Sequence, residues 1–133
     1  MIARILSIKV STSKGERIEV NEGVLLENFG LKGDMYAKPG DREVCILSVK
    51  TKERLNDKGL CTKRFIETIL IDLDPSKLSV GDKIRLGNAI VEIRQMGKRC
   101  FPECLLIRKN DTCPLMTEAI FAKVIKSGTI SVD

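Results

Sequence analysis

Apolar and polar residues alternate along much of the chain, and this period-two pattern is typical of half-buried β-strands. In the first run the inward-facing candidates are Ile5, Ile8 and Val10. In the second run Ile18 and Val20 alternate with charged or polar neighbours. The pattern therefore predicts that the fold begins with strands.

The middle of the chain continues this pattern and adds a helix. Further strands are predicted at Val24–Leu26, Val44–Val49 and Phe65–Leu73, where apolar and β-branched residues dominate. A helical signal begins at Ser48, whose side chain favours the N-cap position. It ends at Gly59, a residue type that favours the position just after a helix.

The dipeptide Gly87-Asn88 is the strongest turn signal, because both residues tolerate the positive φ angles of a two-residue hairpin. It predicts that Lys83–Leu86 pairs with Ala89–Met96 as antiparallel strands. Just upstream, Gly81 is expected to occupy a positive-φ position in a structural turn.

A second hairpin is predicted near the C-terminus, where Lys126-Ser127-Gly128 separates Ile120–Ile125 from Thr129–Val132. Many short strands with one or two short helices favour a mostly β fold, either a barrel or a sandwich. No linker-like change of composition divides the 133 residues, so we expect one domain spanning residues 1–133.

Composition excludes several classes of function. The chain has no histidine, which removes hydrolases with a catalytic histidine, histidine-ligated zinc enzymes and histidine general bases. The net charge of +5 favours small anions as ligands. A nucleic-acid surface is disfavoured, because the charge is modest and only four Phe and one Tyr offer stacking platforms.

Cellular location is the next expectation from the sequence. No stretch approaches the length of about 18 apolar residues that a membrane span needs, and Arg4 and Lys9 interrupt the region where a signal peptide would be apolar. We therefore expect a cytoplasmic protein without membrane contact. In a reducing compartment its five cysteines are expected to be thiols rather than disulfides.

Three of the five cysteines follow the strand Ala89–Met96 within one short segment, and they are Cys100, Cys104 and Cys113. Lys98 and Arg99 directly precede the first of these, and nearby positive charge stabilises a thiolate. Cys100 is therefore the leading candidate for a nucleophile or a soft-metal ligand.

Other interpretations of these cysteines remain open. They could be small core residues, since cysteine is often buried. The Cys100–Cys104 spacing also suits a zinc ligand pair, but no histidine and no second close pair completes a site. A reversible disulfide between these two residues is a third option. Cys45 is assigned to a strand interior and expected to be inert, and Cys61 to a loop or packing role.

Residues 28–42 form a long loop rich in glycine, a type of segment that is often functional. Gly30 and Gly33 would let the backbone approach a ligand closely, while Lys32, Lys38 and Arg42 offer positive charge to a phosphate. The alternative is a solvated connector in which Asp34 caps its own backbone.

Three motifs occur in a fixed order along the chain. They are Gly30-Leu31-Lys32-Gly33-Asp34, then Leu78-x-Val80-Gly81-Asp82-x-Ile84, then Gly97-Lys98-x-Cys100-x-x-x-Cys104 followed by Cys113-Pro114. Together they resemble the MOSC family, named for the C-terminal domain of molybdenum-cofactor sulfurase, in its small stand-alone bacterial form. The resemblance spans nearly the whole chain.

This resemblance implies a single β-barrel-like domain whose pocket serves the molybdenum cofactor (molybdopterin). Cys100 would carry sulfur as a persulfide or ligate molybdenum, with Cys104 and Cys113 as accessory catalytic thiols. The cofactor-binding residues that it implies are Gly33, Asp34, Lys98 and Arg99, and the glycine-rich loop described above adds Gly30, Lys32 and Arg42 as candidates. We also expect the loop Gly30–Arg42 to border the same cleft as Cys100.

The implied partners are the pterin cofactor or its precursor, a sulfur-donor protein and a molybdoenzyme that accepts the product. A non-catalytic module that binds or stores molybdopterin is the alternative, and whether the chain catalyses turnover stays open. Nothing marks a Schiff-base lysine, so pyridoxal phosphate is not assigned. Phe101, Tyr36 and Asp41 stand where relatives commonly have histidines, so no proton-transfer role is assigned either.

Overall fold

Strands dominate the part of the chain that the computed structural model describes, which is residues 1–13, 16–54, 67–97 and 118–133. The described strands are β1 (Arg4–Ser13), β2 (Glu16–Val20), β3 (Glu22–Leu26), β4 (Gly30–Leu31), β5 (Val44–Ser48), β6 (Ile69–Asp72), β7 (Lys83–Leu86), β8 (Ala89–Met96), β9 (Ile120–Lys126) and β10 (Gly128–Ser131). One short helix, α1 (Val49–Arg54), and a 3-10 turn at Pro75–Lys77 accompany them. The mostly β prediction is confirmed.

The strands form two sheets. Seven strands run in the order β2-β1-β6-β5-β9-β8-β7, and three run in the order β10-β3-β4. Among the described strands of the larger sheet, β5 and β6 are the one pair in parallel, and α1 lies in the connection between them, as a crossover requires. The helix begins directly after Ser48, whose hydroxyl accepts a hydrogen bond from the Lys50 N–H (3.2 Å), as its N-cap preference predicts.

The expected barrel is not what the described strands form. The larger sheet stays open, since its edge strands β2 and β7 do not pair with each other, and a single parallel bridge, Ile2 with Arg85, joins the N-terminus to β7. The reason is that β1 pairs over most of its length with β6 and β2, which leaves only the residues before Arg4 for β7. The described strands therefore form two open sheets and not a closed barrel.

One predicted hairpin is confirmed and the other is wrong. β7 and β8 pair antiparallel with Leu86 opposite Ala89, and Gly87 between them has a φ of +57°. Downstream, β10 does not fold back on β9 but pairs with β3 in the smaller sheet. Gly128 passes so close to Asn88 that a Cβ atom would lie 2.4 Å from the Asn88 carbonyl carbon, so the backbone turns away there.

The core consists of isoleucine, leucine and valine side chains from the inward faces of the strands. Its fully buried members include Ile5, Ile8, Ile46, Ile69, Ile71 and Ile93. Ile5 and Ile8 were predicted to face inward, and both do. Gly81 also behaves as predicted, with a φ of +96° in the turn before β7. This packed sheet is the base on which the loop between β4 and β5 rests.

Candidate functional site

The loop between β4 and β5, residues 32–43, is called the site loop below, and its first anchor is Asp34. This buried carboxylate accepts a hydrogen bond from the backbone N–H of Ser11 (3.0 Å), and the N–H of Met35 donates to the Ser11 carbonyl (2.8 Å). Two bonds to one residue fix the loop to β1. Asp34 therefore holds a neighbouring strand in addition to bordering the site.

The second anchor is Glu43, a residue that sequence reasoning missed. Its side chain is fully buried, and Lys123 Nζ donates to Oε2 at 2.9 Å. The backbone N–H of Val124 donates to Oε1 (3.0 Å), and that of Gly40 donates to Oε2 (3.2 Å). One carboxylate thus joins the end of the site loop to β9. A buried charge needs such partners, but the sequence places Lys123 80 residues away.

Gly30 and Gly33 adopt backbone conformations that other residues rarely take. Gly30 has a φ of +125°, and a Cβ atom there would lie 2.3 Å from the carbonyl oxygen of Glu43. Gly33 also has a positive φ, of +90°. The close approach at Gly30 is thus to the chain's own backbone, and it positions β4 against the start of β5.

A cavity of about 330 Å³ lies beside the site loop, and we call it the loop cavity. Asp34 and Glu43 border it. Its other lining side chains include Arg17, Tyr36, Lys38, Arg42, Cys45 and Phe121. These residues come from β2, the site loop, β5 and β9, so four separate parts of the chain meet there.

Arg42 links the loop cavity to the end of β8. Its Nε and Nη2 atoms donate to Gln95 Oε1 at 3.2 and 3.1 Å, and its guanidinium carbon lies 4.7 Å from the centre of the Phe121 ring. Gln95 Nε2 in turn donates to the carbonyl of Gly97 (2.9 Å). Gly97 is the last described residue before the cysteine segment, residues 98–117, and its N–H donates to the Ala119 carbonyl on the far side (2.6 Å).

Cys45 differs from its expected burial. It lies within β5 as predicted, but its side chain is half-buried and lines the loop cavity, whereas its neighbours Val44 and Ile46 are buried. The alternation of side chains along a strand explains this, because successive residues face opposite sides of the sheet. The expectation of an inert core thiol at this position is therefore wrong with respect to burial.

Only part of the predicted site falls within the described residues. Asp34 and Arg42 come together at the loop cavity, whereas the Lys32 side chain is exposed. Outside the described residues lie Cys61, Lys98, Arg99, Cys100, Cys104 and Cys113. The shared cleft between the loop and Cys100 therefore stays a prediction, as do the roles of the cysteines.

A second polar cluster, formed by Glu67, Lys52 and Lys9, also escaped sequence reasoning. Glu67 is almost fully buried, and Lys52 Nζ (2.7 Å) and Lys9 Nζ (3.0 Å) both donate to its Oε1 atom. Burial raises the pKa of the Glu67 carboxyl, but the hydrogen bonds from the two lysines outweigh that effect and hold the pKa below its usual value. The cluster joins α1 to β1 through the start of β6.

A larger cavity of about 800 Å³ lies near the two ends of the cysteine segment. Its lining includes Lys50, Asp74, Leu78, Met96 and Glu118. Asp74 caps the 3-10 turn, because its Oδ1 atom accepts hydrogen bonds from the N–H (3.0 Å) and the hydroxyl (2.8 Å) of Ser76. These hydrogen bonds lower the pKa of the Asp74 carboxyl.

Two general features bear on function. Within the described ranges no helix has the length and apolar character needed to cross a membrane. The same residues contain no group of three or more cysteine, aspartate or glutamate side chains arranged to hold a metal ion. A metal ligand at Cys100 is not tested by that finding, since Cys100 lies outside those residues.

Comparisons with known proteins indicate which solved structures share this fold. No family model matches the sequence, and no curated protein matches it. Among solved structures, the YuaD protein from Bacillus subtilis is similar over 98% of this chain and 91% of its own, with a TM-score of 0.70 and 13% identity. YiiM from Escherichia coli is similar over 98% of this chain, with a TM-score of 0.58 and 21% identity.

The lengths of these chains differ. This chain spans 66% of Escherichia coli YiiM and 64% of a hypothetical protein whose crystal structure is similar, with a TM-score of 0.65 and 22% identity. At such identities the likeness concerns the fold alone. Because YiiM is a MOSC-domain protein, the chain has a MOSC-like fold.

Proposed function

We propose that this chain handles the molybdenum cofactor, with Cys100 either carrying sulfur as a persulfide or ligating molybdenum. The observation that carries the proposal is the link from Arg42 through Gln95 to Gly97. It joins the basic loop cavity to the residue from which the cysteine segment departs. Three peptide units separate Gly97 from Cys100, and a trans chain spans at most about 3.6 Å per residue.

The described half of this site fits an anionic cofactor. Arg17, Lys38 and Arg42 line the loop cavity, and the two carboxylates that border it, Asp34 and Glu43, already accept hydrogen bonds from other groups. A molybdopterin carries a phosphate group, which arginine and lysine bind well. Bound cofactor would supply a redox-active metal, and Cys100 would be the chain's own ligand to it.

As a sulfur carrier, Cys100 would act as a thiolate stabilised by Lys98 and Arg99. The thiolate attacks the outer sulfur of a donor persulfide, a new S–S bond forms at Cys100, and the donor's S–S bond breaks. The donor leaves as a thiolate, so the transfer needs no external oxidant or reductant. To pass sulfur on, the thiolate of Cys104 or Cys113 would attack the inner sulfur of the Cys100 persulfide, so that a disulfide to Cys100 forms and the outer sulfur leaves as sulfide; a cellular dithiol would then reduce the disulfide.

The persulfide role is tested by loading the reduced protein with inorganic polysulfide and mapping its peptides by mass spectrometry. We expect the added sulfur on the Cys100 peptide, its loss in Cys100→Ser, and its retention in the matched control Cys61→Ser. Sulfur that persists in Cys100→Ser would contradict the persulfide role.

The non-catalytic alternative is a module that only binds or stores molybdopterin. The cations of the loop cavity support it as well, because they need no reactive thiol. It predicts that Cys100→Ser binds molybdopterin as tightly as the unmodified chain, whereas the leading proposal predicts weaker binding or loss of sulfur loading. Equilibrium binding measured side by side on Cys100→Ser and Cys61→Ser separates the two.

A further inference from the structure

The loop cavity carries positive charge that described carboxylates do not neutralise. Within residues 1–13, 16–54, 67–97 and 118–133 the ion pairs join Lys9 and Lys52 to Glu67, Arg94 to Glu92, and Lys123 to Glu43. None of these pairs contains Arg17, Lys38 or Arg42. The three cations therefore face the cavity with their charges available to a ligand.

The carboxylates at the cavity wall are already committed elsewhere. Asp34 accepts the Ser11 N–H, and Glu43 accepts Lys123 and the Val124 N–H. Both side chains are buried and serve as anchors of the site loop. Asp34 keeps its negative charge, because a backbone N–H is neutral, whereas the charge of Glu43 is paired with Lys123. The three cations therefore leave the cavity lining net positive, which favours an anion.

Arg42 is held in a fixed orientation without losing its charge. Gln95 is neutral, and its single oxygen accepts from Nε and Nη2 of Arg42, while the Phe121 ring lies under the guanidinium at 4.7 Å. Nη1 and one hydrogen of Nη2 remain for another acceptor. A planar donor set oriented by neutral partners suits a tetrahedral oxyanion.

The remaining walls are suited to the body of a small molecule. Phe121 is buried, Tyr36 is half-exposed, and Cys45 also lines the cavity. Arg17 lies 5.8 Å from the centre of the Tyr36 ring, so this ring and its cation form one side of the opening. The volume of about 330 Å³ is at the lower end for small-molecule sites, which favours a compact ligand.

We propose that the loop cavity binds the phosphate group of a small phosphomonoester, with Arg17, Lys38 and Arg42 as its binding residues. The inference deepens the proposed function and rests on it for the identity of the natural ligand, because it names where that ligand's phosphate binds. Arg17 is an addition to the site, since its strand pattern did not mark it as a ligand-binding residue, whereas Lys38 and Arg42 were already expected to offer charge to a phosphate.

Tyr36 gives a direct readout. It is the chain's single tyrosine, the chain has no tryptophan, and its ring lies at the cavity. We would titrate the intact protein with glycerol 2-phosphate and, separately, with inorganic phosphate at constant ionic strength, following tyrosine fluorescence and the heat of binding. Saturable binding of the ester, with slower alkylation of Cys45 in the same samples, is the expected result.

Variants separate a built site from general attraction. Removing one charge-assisted contact weakens binding about tenfold or more, so Arg42→Gln and Lys38→Gln should each raise the dissociation constant for glycerol 2-phosphate by that factor. The matched control is Lys83→Gln, which removes an exposed lysine of β7 and should leave the constant unchanged.

Each other outcome overturns the proposal. Absence of saturable binding, an equal loss in Lys83→Gln, or binding of inorganic phosphate without the ester would each exclude a phosphomonoester site at this cavity. The same titration on Cys100→Ser separates this inference from the proposed function. Intact sulfur loading at Cys100 with no phosphate binding would reject the cavity site alone, and the reverse result would reject the sulfur carrier alone.

Discussion

Glu43 and Glu67 are two buried carboxylates near the starts of the parallel strands β5 and β6, but their partners differ. Glu67 is bonded to two lysine side chains, so its charge is matched by cations within one cluster. Glu43 is bonded to one lysine and to two backbone N–H groups, one of them in its own loop.

The difference shows that a buried, hydrogen-bonded carboxylate has different roles at the two positions. In the Glu67 cluster one carboxylate pairs with a lysine of α1 and a lysine of β1, so the cluster joins these two elements. Glu43 instead organises the backbone of the site loop and leaves Arg17, Lys38 and Arg42 without carboxylate partners in the described chain. In this account Glu43 stabilises the site loop, whereas Arg17, Lys38 and Arg42 are available to bind a ligand.

The largest expected effect is on the Glu43 side. Glu43→Ala leaves the buried Val124 N–H and Lys123 without their acceptor, so we expect a loss of about 3 kcal/mol in the free energy of unfolding. Urea denaturation measures it, with Glu92→Ala as control, because the Glu92–Arg94 pair is more exposed and should cost below about 0.5 kcal/mol. Equal losses in the two variants would contradict the anchoring role of Glu43.

A smaller effect is expected for Glu67→Gln. The amide keeps a hydrogen-bond acceptor but loses the charge, and Lys52 and Lys9 are partly exposed and so can turn to water. We expect a loss of about 2 kcal/mol in the free energy of unfolding at neutral pH. A loss as large as that of Glu43→Ala would remove the distinction drawn between the two carboxylates.

The pH dependence of this effect sharpens the comparison. Because the pKa of Glu67 in the folded chain lies below its ordinary value of 4.5, the carboxylate's contribution is present above that value and is lost as the pH falls through the folded pKa. The pKa of Lys52 is raised: burial lowers it, but the hydrogen bond that Lys52 donates to Glu67 outweighs this, so the same pair persists below 10.5 and is lost only as the pH rises through the folded pKa.

The measurable consequence is that the unfolding free energies of the unmodified chain and of Glu67→Gln converge as the pH falls. The difference in unfolding free energy between the unmodified chain and Glu67→Gln should be largest near neutral pH and shrink as the pH falls below 4.5 and through the folded pKa of Glu67. Urea melts at matched ionic strength test this. A difference that stays constant over the acidic range would contradict the depressed pKa of Glu67.

The smallest effect on stability belongs to the cavity cations. Arg42 is exposed and its partner is neutral, so Arg42→Gln should change the free energy of unfolding by less than about 0.5 kcal/mol. The same variant should weaken phosphate binding strongly. Thermal melts and titrations on one preparation compare the two, and a large destabilisation would mean that Arg42 is part of the fold rather than a binding residue.

Local chemistry made part of this molecule predictable from sequence. Gly87-Asn88 predicted the hairpin because two adjacent residues determine the geometry of such a turn. Ser48 predicted the start of α1 because its hydroxyl bonds to the backbone only two residues further on. The pairing of β10 with β3, and the open sheet in place of a barrel, depend on strands far apart in sequence. No local pattern encodes such pairings.

The candidate site shows the same division. Arg42 and Asp34 were found because a glycine-rich, charged loop is visible in the sequence. Glu43 was missed because its partner Lys123 lies 80 residues away, and Arg17 because its strand pattern gave no sign of a cavity. Cys45 was assigned to the core from its apolar neighbours, although strand alternation directs it to the cavity side.

The central claim is that Cys100 serves the molybdenum cofactor, and native mass spectrometry of protein purified from a host that makes this cofactor tests it most directly. The account predicts that the chain carries a bound pterin or one added sulfur atom, that Cys100→Ser loses the addition, and that Cys61→Ser keeps it. A chain with the mass of the polypeptide alone, or an addition that persists in Cys100→Ser, would contradict the account.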